Sequence, residues 1–243
     1  YVAKEKPNYI YRIVTMGGST TAGKYENEET YPRLLERMLN GQNDETQNYQ
    51  VLNYGVWGYN SCNLKTLYKQ EIIKFNPDMI IIMSGWNDII KQGQKKFMSI
   101  DDYCNNNYSA LSNSNIYRLL EFWLKTPWQK KQFPDRQLNN LGQNAIYYLK
   151  NMREIISISQ KRNILVGVVD LPALYETKTL NQDLKKLIQF SNQTLPEMEY
   201  YRNAGLKMNE LINQIATEHP NTFPVAHALS FGSKGKEMFF SDN

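Results

Sequence analysis

The sequence predicts a single α/β domain, built as three layers around a parallel sheet of about five strands. Three successive segments carry this prediction, because each is a short apolar run that ends in a glycine-containing turn and then leads into a helix-forming stretch. The chain has 243 residues, of which 41% are hydrophobic and 21% charged. This is ordinary globular composition, which excludes collagen, a coiled coil, long disorder and a disulfide-stapled miniprotein.

The three strands that carry the prediction are rich in β-branched and apolar residues. They are predicted at residues 11–16, 49–54 and 79–83. The turns that follow them are Gly17-Gly18-Ser19, Gly55-Val56-Trp57-Gly58 and Ser84-Gly85-Trp86-Asn87-Asp88. Because the carboxyl ends of parallel strands lie at one edge of a sheet, these turns are expected to converge there.

Helices are predicted between and beyond these strands. The spacing of Leu34, Leu35, Met38 and Leu39 predicts that all four share one face of a helix that stops at Gly41. Further helices are predicted at about 61–75, 141–161 and 198–219, and further strands at about 163–169 and 223–228. Residues 91–139 mix polar and aromatic side chains, which predicts an insertion or lid with short helices such as 117–125, rather than a second domain.

Charge and cysteine content narrow the classes of partner. The net charge of +4 is spread along the chain, and the densest basic run, 125–131, is interrupted by four uncharged residues, so we expect no nucleic-acid binding. The spacing of Cys62 and Cys104 fits neither a zinc site nor a CxxC redox pair, and leaves a disulfide between them open.

No apolar run reaches the roughly 18 residues of a membrane-spanning helix. Because the chain begins at Tyr1 rather than Met, we expect a removed N-terminal segment, with a lean towards export or membrane anchoring.

The first turn allows three interpretations. The spacing from Gly18 to Lys24 matches the G-x-x-x-x-G-K pattern of a phosphate-binding loop, although Tyr25 stands where a magnesium-binding Ser or Thr would follow. Alternatively, Ser19 is a nucleophile, which would need a base and donors for an oxyanion. The turn could also be purely structural. The nucleophile interpretation is favoured because two further glycine turns are predicted at the same edge.

Taken in order, the three turns resemble the sequence blocks of SGNH/GDSL-type hydrolases. Gly17-Gly18-Ser19 is similar to the first block, Asn53 to Gly58 to the N-x-x-x-x-G block, and Gly85-Trp86-Asn87-Asp88 to the G-x-N-D block. The resemblance implies a flavodoxin-like fold over residues 1–243, with Ser19 as the nucleophile. It also implies an oxyanion hole made by the N–H groups of Ser19 and Gly58 and the side-chain amide of Asn87, although Asn87 would also suit a simple turn. Gly18 departs from the family pattern, because it stands in place of the usual Asp.

The catalytic base is harder to place, since the chain has only two histidines. The resemblance implies that Asp242 belongs to the family's last block, D-x-x-H, in which it would orient a histidine. We expect that histidine at the second position beyond Asn243, so that the C-terminal end of the domain would be missing here. His219, at a helix end, is predicted to be structural. His227 lies fifteen residues before Asp242 and does not fit the D-x-x-H spacing.

The resemblance implies hydrolysis of a carboxylic ester through an acyl-enzyme, with no metal and no organic cofactor. The substrate would be a small molecule, or an ester of an acetylated glycan or of lipid type, because the aromatic side chains in 91–139 suit sugar rings and acyl chains equally well. Two alternatives stay open beside the phosphate-binding loop: an O-acyltransferase that uses the same residues, and a non-catalytic binding domain. Oligomeric state is not predicted.

Overall fold

The computed structural model describes residues 5–23, 30–41, 48–90, 104, 141–171 and 195–225. Its sheet has five strands, β1 (Ile10–Gly17), β2 (Asn48–Gly55), β3 (Met79–Met83), β4 (Leu165–Val169) and β5 (Thr222–Val225). All pairings are parallel, and the strand order is β2-β1-β3-β4-β5. The predicted parallel α/β sheet is therefore confirmed.

Helices occupy the connections between the strands. They are α1 (Ser19–Ala22), α2 (Tyr31–Asn40), α3 (Ser61–Gln70), α4 (Trp86–Ile90), α5 (Leu141–Gln160) and α6 (Leu195–Glu218). The predicted helix over 61–75 is divided, because the backbone leaves the helical region at Glu71 and continues as the 3-10 helix Ile72–Phe75. The short helix α4 was not predicted. The insertion predicted at 91–139 lies outside the described residues except for Cys104.

The sheet separates two apolar clusters, which makes the structure three-layered. Alternate residues of a strand face opposite sides, so Val14 of β1 points into the larger cluster and Ile13 into the smaller one. The larger cluster lies between the sheet and α3, α5 and α6. The smaller cluster is covered, among the described elements, by Leu35 and Leu39 of α2.

Only part of the predicted face of α2 is buried. Leu35 and Leu39 contact the smaller cluster, whereas Leu34 is 43% exposed and Met38 is 67% exposed. The four residues span about 140° of the helix circumference at 100° per residue, so they lie on one side of the helix as predicted. The sheet covers only the half of this arc that carries Leu35 and Leu39.

A buried arginine ties the first three strands together at their amino ends. Arg12 of β1 donates from Nε to Gln50 Oε1 on β2 (2.7 Å) and from Nη1 to the Phe75 carbonyl before β3 (2.5 Å). The backbone N–H of Arg12 donates to Asp78 Oδ2 (2.7 Å), which also places a carboxylate beside the guanidinium. The level of the carboxyl ends is set separately by the register of the strand pairs.

A disulfide joins Cys62 of α3 to Cys104, with the two Cα atoms 5.4 Å apart. The structure thereby decides a pairing that the sequence left open. Disulfides are typical of proteins in oxidising compartments. Within the part of the chain that the structure describes, no helix is both long enough and apolar enough to cross a membrane.

Removing apolar volume from β3 is expected to destabilise the domain strongly. Ile82 is fully buried in the larger cluster, so Ile82→Ala should lower the free energy of unfolding by about 2–5 kcal/mol. Urea unfolding followed by circular dichroism measures this. Leu165→Ala is the control, because that side chain is 39% exposed at the start of β4 and should cost about 1 kcal/mol or less. Equal losses in the two variants would contradict this description of the core.

Candidate active site

The turns that carry the candidate residues begin at the same level of the sheet. Gly17, the last residue of β1, pairs with Gly55 on one side and with Met83 on the other. Ser19, Gly58 and Asn87 follow these three strand ends by two, three and four residues. Because β1 lies between β2 and β3, the structure brings these turns together at one edge. Ligands of open α/β sheets bind at this edge.

Ser19 lies at the first position of α1 and is half-buried. Within this short helix, the N–H groups of Thr21 and Ala22 donate to the Gly18 carbonyl (3.2 and 3.0 Å), and Gly23 N–H donates to the Ser19 carbonyl (3.0 Å). The first N–H groups of a helix have no partner inside it. Ser19 N–H is therefore in a position to donate to a substrate oxygen.

This geometry disfavours the phosphate-binding loop. Such a loop presents a series of backbone N–H groups to the phosphates. Here the N–H groups of Thr21, Ala22 and Gly23 are used within the helical turn. Lys24, which the interpretation needs, lies outside the described residues.

The second turn packs directly on the first. Val56 N–H donates to the Gly17 carbonyl (3.0 Å), so the chain leaving β2 is fastened to the end of β1. A Cβ at Gly55 would lie 2.5 Å from the Thr21 carbonyl carbon. Only glycine allows the backbone of β2 to approach α1 this closely.

Gly58 lies in a tight turn closed by the bond from Tyr59 N–H to the Val56 carbonyl (3.1 Å). Its φ of +76° is in the left-handed region, which favours glycine. Among the residues that the structure describes, a Cβ added at Gly58 would meet no atom within 4 Å, so this part of the fold leaves that side of the turn open. A substrate could approach the Gly58 backbone from there.

Asn87 links the third turn to the second. Its side-chain Nδ2 donates to the Tyr59 carbonyl (2.8 Å). This bond uses one of the two N–H groups of the amide and fixes the direction of the other. Asn87 is the second residue of α4, so the simple-turn alternative does not describe its backbone.

The same contact explains why glycine stands at position 18. A Cβ on Gly18 would lie 2.9 Å from Asn87 Nδ2 and 3.5 Å from the Tyr59 carbonyl oxygen. The linked pair therefore occupies the space that a side chain at position 18 would need. Any side chain at position 18, including the Asp of the family block, would therefore require the Asn87 amide to shift.

The base is not among the residues that the structure describes near Ser19. Asp242 and His227 lie outside the described residues. His219 lies three residues before the first residue of β5, and Thr222 N–H donates to its carbonyl (3.0 Å). The beginning of a parallel strand lies at the edge opposite to Ser19, so His219 is separated from Ser19 by the length of the sheet. In the described ranges, no cluster of His, Cys, Asp and Glu could hold a metal ion.

Sequence reasoning missed a buried polar cluster beneath the turns. Ser61, at the start of α3, donates from Oγ to Asp88 Oδ1 (2.6 Å), and Asn151 of α5 donates to Ser61 Oγ (3.1 Å). The capping box between Asn60 and Asn63 marks the start of α3. No pattern in the chain, however, indicates that residues 61, 88 and 151 meet.

A family comparison bears on what this edge does. A model of the GDSL-like lipase/acylhydrolase family matches residues 13–231. The chain belongs to this family. The resemblance inferred from the three turns is thereby confirmed, and GDSL membership places the protein in a family of esterases and acylhydrolases.

Solved structures share the fold of this GDSL protein. A catalytic mutant of Axe2, an acetylxylan esterase from Geobacillus stearothermophilus, has 16% identity and a TM-score of 0.52, over 88% of this chain and 75% of that chain. The psychrotrophic esterase EstA from Pseudoalteromonas sp. has 13% identity and a TM-score of 0.51, over 94% and 84%. No curated protein matches the sequence. At these identities the structural similarity establishes the fold alone.

The steric account of position 18 predicts a coupling between two residues of the GDSL site. Gly18→Ala should lower the free energy of unfolding by about 1 kcal/mol, because the methyl group must shift the Asn87 amide and weaken its bond to Tyr59. Most of this loss should disappear when Gly18→Ala is introduced into an Asn87→Ala background, where the colliding amide is absent. Urea unfolding of the four proteins of this cycle measures the coupling. Additive losses would mean that the space at Gly18 is limited by something other than Asn87.

Proposed function

We propose that the protein is a serine esterase that cleaves a carboxylic ester through an acyl-enzyme, with Ser19 as the nucleophile. The observation that carries the proposal is the convergence of Ser19, Gly58 and Asn87 at the level carboxyl ends of three adjacent strands. This is the arrangement that acyl transfer requires, with donors fixed beside the attacking oxygen.

In the proposed reaction, Ser19 Oγ attacks the ester carbonyl carbon, and its proton passes to a histidine base. The base is the histidine of the D-x-x-H block, oriented by Asp242. The carbonyl oxygen becomes an oxyanion that accepts hydrogen bonds from Ser19 N–H, Gly58 N–H and the Asn87 amide. Collapse expels the alcohol, which takes the proton from the histidine. Water then attacks the acyl-enzyme by the same route and releases the acid.

The donors suit this reaction because of their chemistry. The backbone N–H of Gly58 can approach a substrate without interference from a side chain. The Asn87 amide donates without titrating, and its bond to Tyr59 holds it before substrate arrives. Loss of one such donor costs about a hundred- to a thousandfold in rate.

An acetylated sugar is the substrate that we favour over a lipid-type ester. Trp57 directly precedes Gly58 and is 58% exposed, so a large flat ring stands beside the proposed oxyanion hole. Such a surface suits stacking against a sugar ring. Axe2, whose fold this chain shares, is an acetylxylan esterase, which agrees with this choice. An acyltransferase would use the same residues and differs only in the acceptor, so product analysis separates the two.

Ser19→Ala in the full-length protein should lower the hydrolysis of p-nitrophenyl acetate by about a thousandfold or more. The reason is that no other group takes over the attack. Ser157→Ala is the matched control, because it removes the same hydroxyl from a partly buried position on α5. A fluorophosphonate probe should label the wild type and Ser157→Ala but not Ser19→Ala. Equal hydrolysis by wild type and Ser19→Ala would reject the nucleophile, and absence of labelling in wild type would favour a binding domain.

Trp57→Ala should raise KM for an acetylated xylo-oligosaccharide about two- to tenfold and leave kcat nearly unchanged, because stacking contributes equally to ground and transition states. Trp57→Phe should retain most of the affinity. Hydrolysis of p-nitrophenyl acetate, which has no sugar ring, is the internal control. A preference of wild type for long-chain acyl esters that is lost in Trp57→Ala would point instead to a lipid-type substrate.

A further inference from the structure

A carboxylate is buried directly behind the candidate oxyanion donors. Asp88 is fully inaccessible to solvent, as are its partners Ser61 and Asn151. Removal of a carboxylate from water costs several kcal/mol unless donors surround it. None of the proposed catalytic steps uses Asp88.

The donors come from two other elements of the fold. Ser61 donates to Asp88 through its backbone N–H (3.2 Å to Oδ1 and 3.1 Å to Oδ2) and through its hydroxyl (2.6 Å to Oδ1). Asn151 of α5 donates to the Ser61 hydroxyl (3.1 Å) and to Cys62 Sγ (3.2 Å). The carboxylate also faces the N-terminus of α3, where the helix dipole favours negative charge. Ser61 of α3 thus connects Asp88 of α4 to Asn151 of α5.

A second buried contact fixes the chain just before α4. Tyr148 of α5 donates its hydroxyl hydrogen to the Ser84 carbonyl (3.1 Å). Burial raises the pKa of Tyr148, and the neighbouring Asp88 carboxylate raises it further, so the phenol keeps the proton that it donates. The segment from Ser84 to Asp88 is therefore held at its start by Tyr148 of α5 and at its end by Ser61 of α3.

The residues fixed in this way are adjacent to the oxyanion donors. Asp88 follows Asn87 directly, and Ser61 lies three residues after Gly58. The Asn87–Tyr59 bond (2.8 Å) and the Ser61–Asp88 bonds are therefore two parallel links between the same pair of turns, one at the site and one buried below it. If the buried Ser61–Asp88 link were lost, the Asn87–Tyr59 bond would be the one of these two links left to set the distance between the Gly58 N–H and the Asn87 amide.

We propose that Asp88 is a positioning residue that, through Ser61, sets the distance between the Asn87 amide and the Gly58 N–H. This inference rests on the proposed function. A rigid, prearranged pair of donors is what distinguishes stabilisation of an oxyanion in a protein from solvation in water. Asp88 acts only through its neighbours and does not contact substrate.

The test compares Asp88→Asn with wild type in the full-length protein. The amide is nearly isosteric, but it replaces one of the two acceptor oxygens that face the Ser61 donors with an NH2 group. We expect kcat for p-nitrophenyl acetate to fall about ten- to a hundredfold, as for a donor displaced by about an ångström, with KM within about twofold of wild type. Ser61→Ala keeps the backbone bond to Asp88 and removes the hydroxyl bond, so its kcat should fall by less. This variant replaces Asp88→Asn as the test if Asp88→Asn does not fold.

Asp78→Asn is the matched control. That carboxylate also accepts a backbone N–H, from Arg12 (2.7 Å), but it lies at the opposite edge of the sheet. The Asp78→Asn variant should have a lower melting temperature than wild type. Below its thermal unfolding transition, its kcat should equal that of wild type.

A second readout does not depend on activity. Hydrogen exchange of the Asn87 side-chain amide, assigned by comparison with Asn87→Ala, should quicken in Asp88→Asn because its bond to Tyr59 loosens. Unchanged exchange, or wild-type kcat in a destabilised Asp88→Asn, overturns the proposal. If wild type shows no Ser19-dependent hydrolysis, the proposed function fails, and the positioning role then stands or falls on the exchange rates.

Discussion

The parallel register of β1 between its two neighbours is the constraint on which the rest of the structure depends. Gly17 pairs with both Gly55 and Met83, so three strands end at one level and three turns leave the sheet side by side. Arg12 and Asp78 hold the same strands at their amino ends. A shift of two residues in either pairing would move one turn by about 7 Å and separate residues that now contact one another.

This register explains why glycines occur at the edge where the three turns meet. Where three turns share one edge, backbone must approach backbone. Gly55 allows β2 to contact α1, and Gly18 leaves room for the Asn87–Tyr59 pair. The glycines are therefore required by specific contacts rather than by general flexibility. The open space beside Gly58 is the exception, because there the missing side chain leaves room for a ligand.

Beneath the turns, buried hydrogen-bonding groups occupy positions where an apolar core would be expected. Tyr148 and the cluster of Ser61, Asp88 and Asn151 are fully buried at the margin of the larger apolar cluster. Buried apolar contacts are non-directional. Hydrogen bonds require particular distances and angles, and they are therefore suited to holding two turns at a set separation. This explains why polar groups are retained beneath the turns, where spacing matters to the site.

Local patterns were sufficient for much of this protein. Apolar runs and glycine turns predicted the parallel sheet, and the three motif-bearing turns predicted the family before the structure placed Ser19, Gly58 and Asn87 at one edge. The roles of these residues, the single-domain interpretation and the part of Asp242 stay predictions. Helix faces were predicted less well. Leu34 and Met38 have the spacing of buried residues, but how much of α2 the sheet covers depends on packing and not on spacing.

Residue types and their order along the chain by themselves determined the strands, the turns and the candidate chemistry, because period, glycine and motif spacing are local properties. The tertiary structure alone decided the Cys62–Cys104 pairing, the steric need for Gly18 and the meeting of Ser61, Asp88 and Asn151. Each of these joins residues that are far apart in sequence. Such contacts form only after the sheet has brought its crossover helices together. The spacing of apolar residues along the chain does not indicate which polar side chains will then face each other.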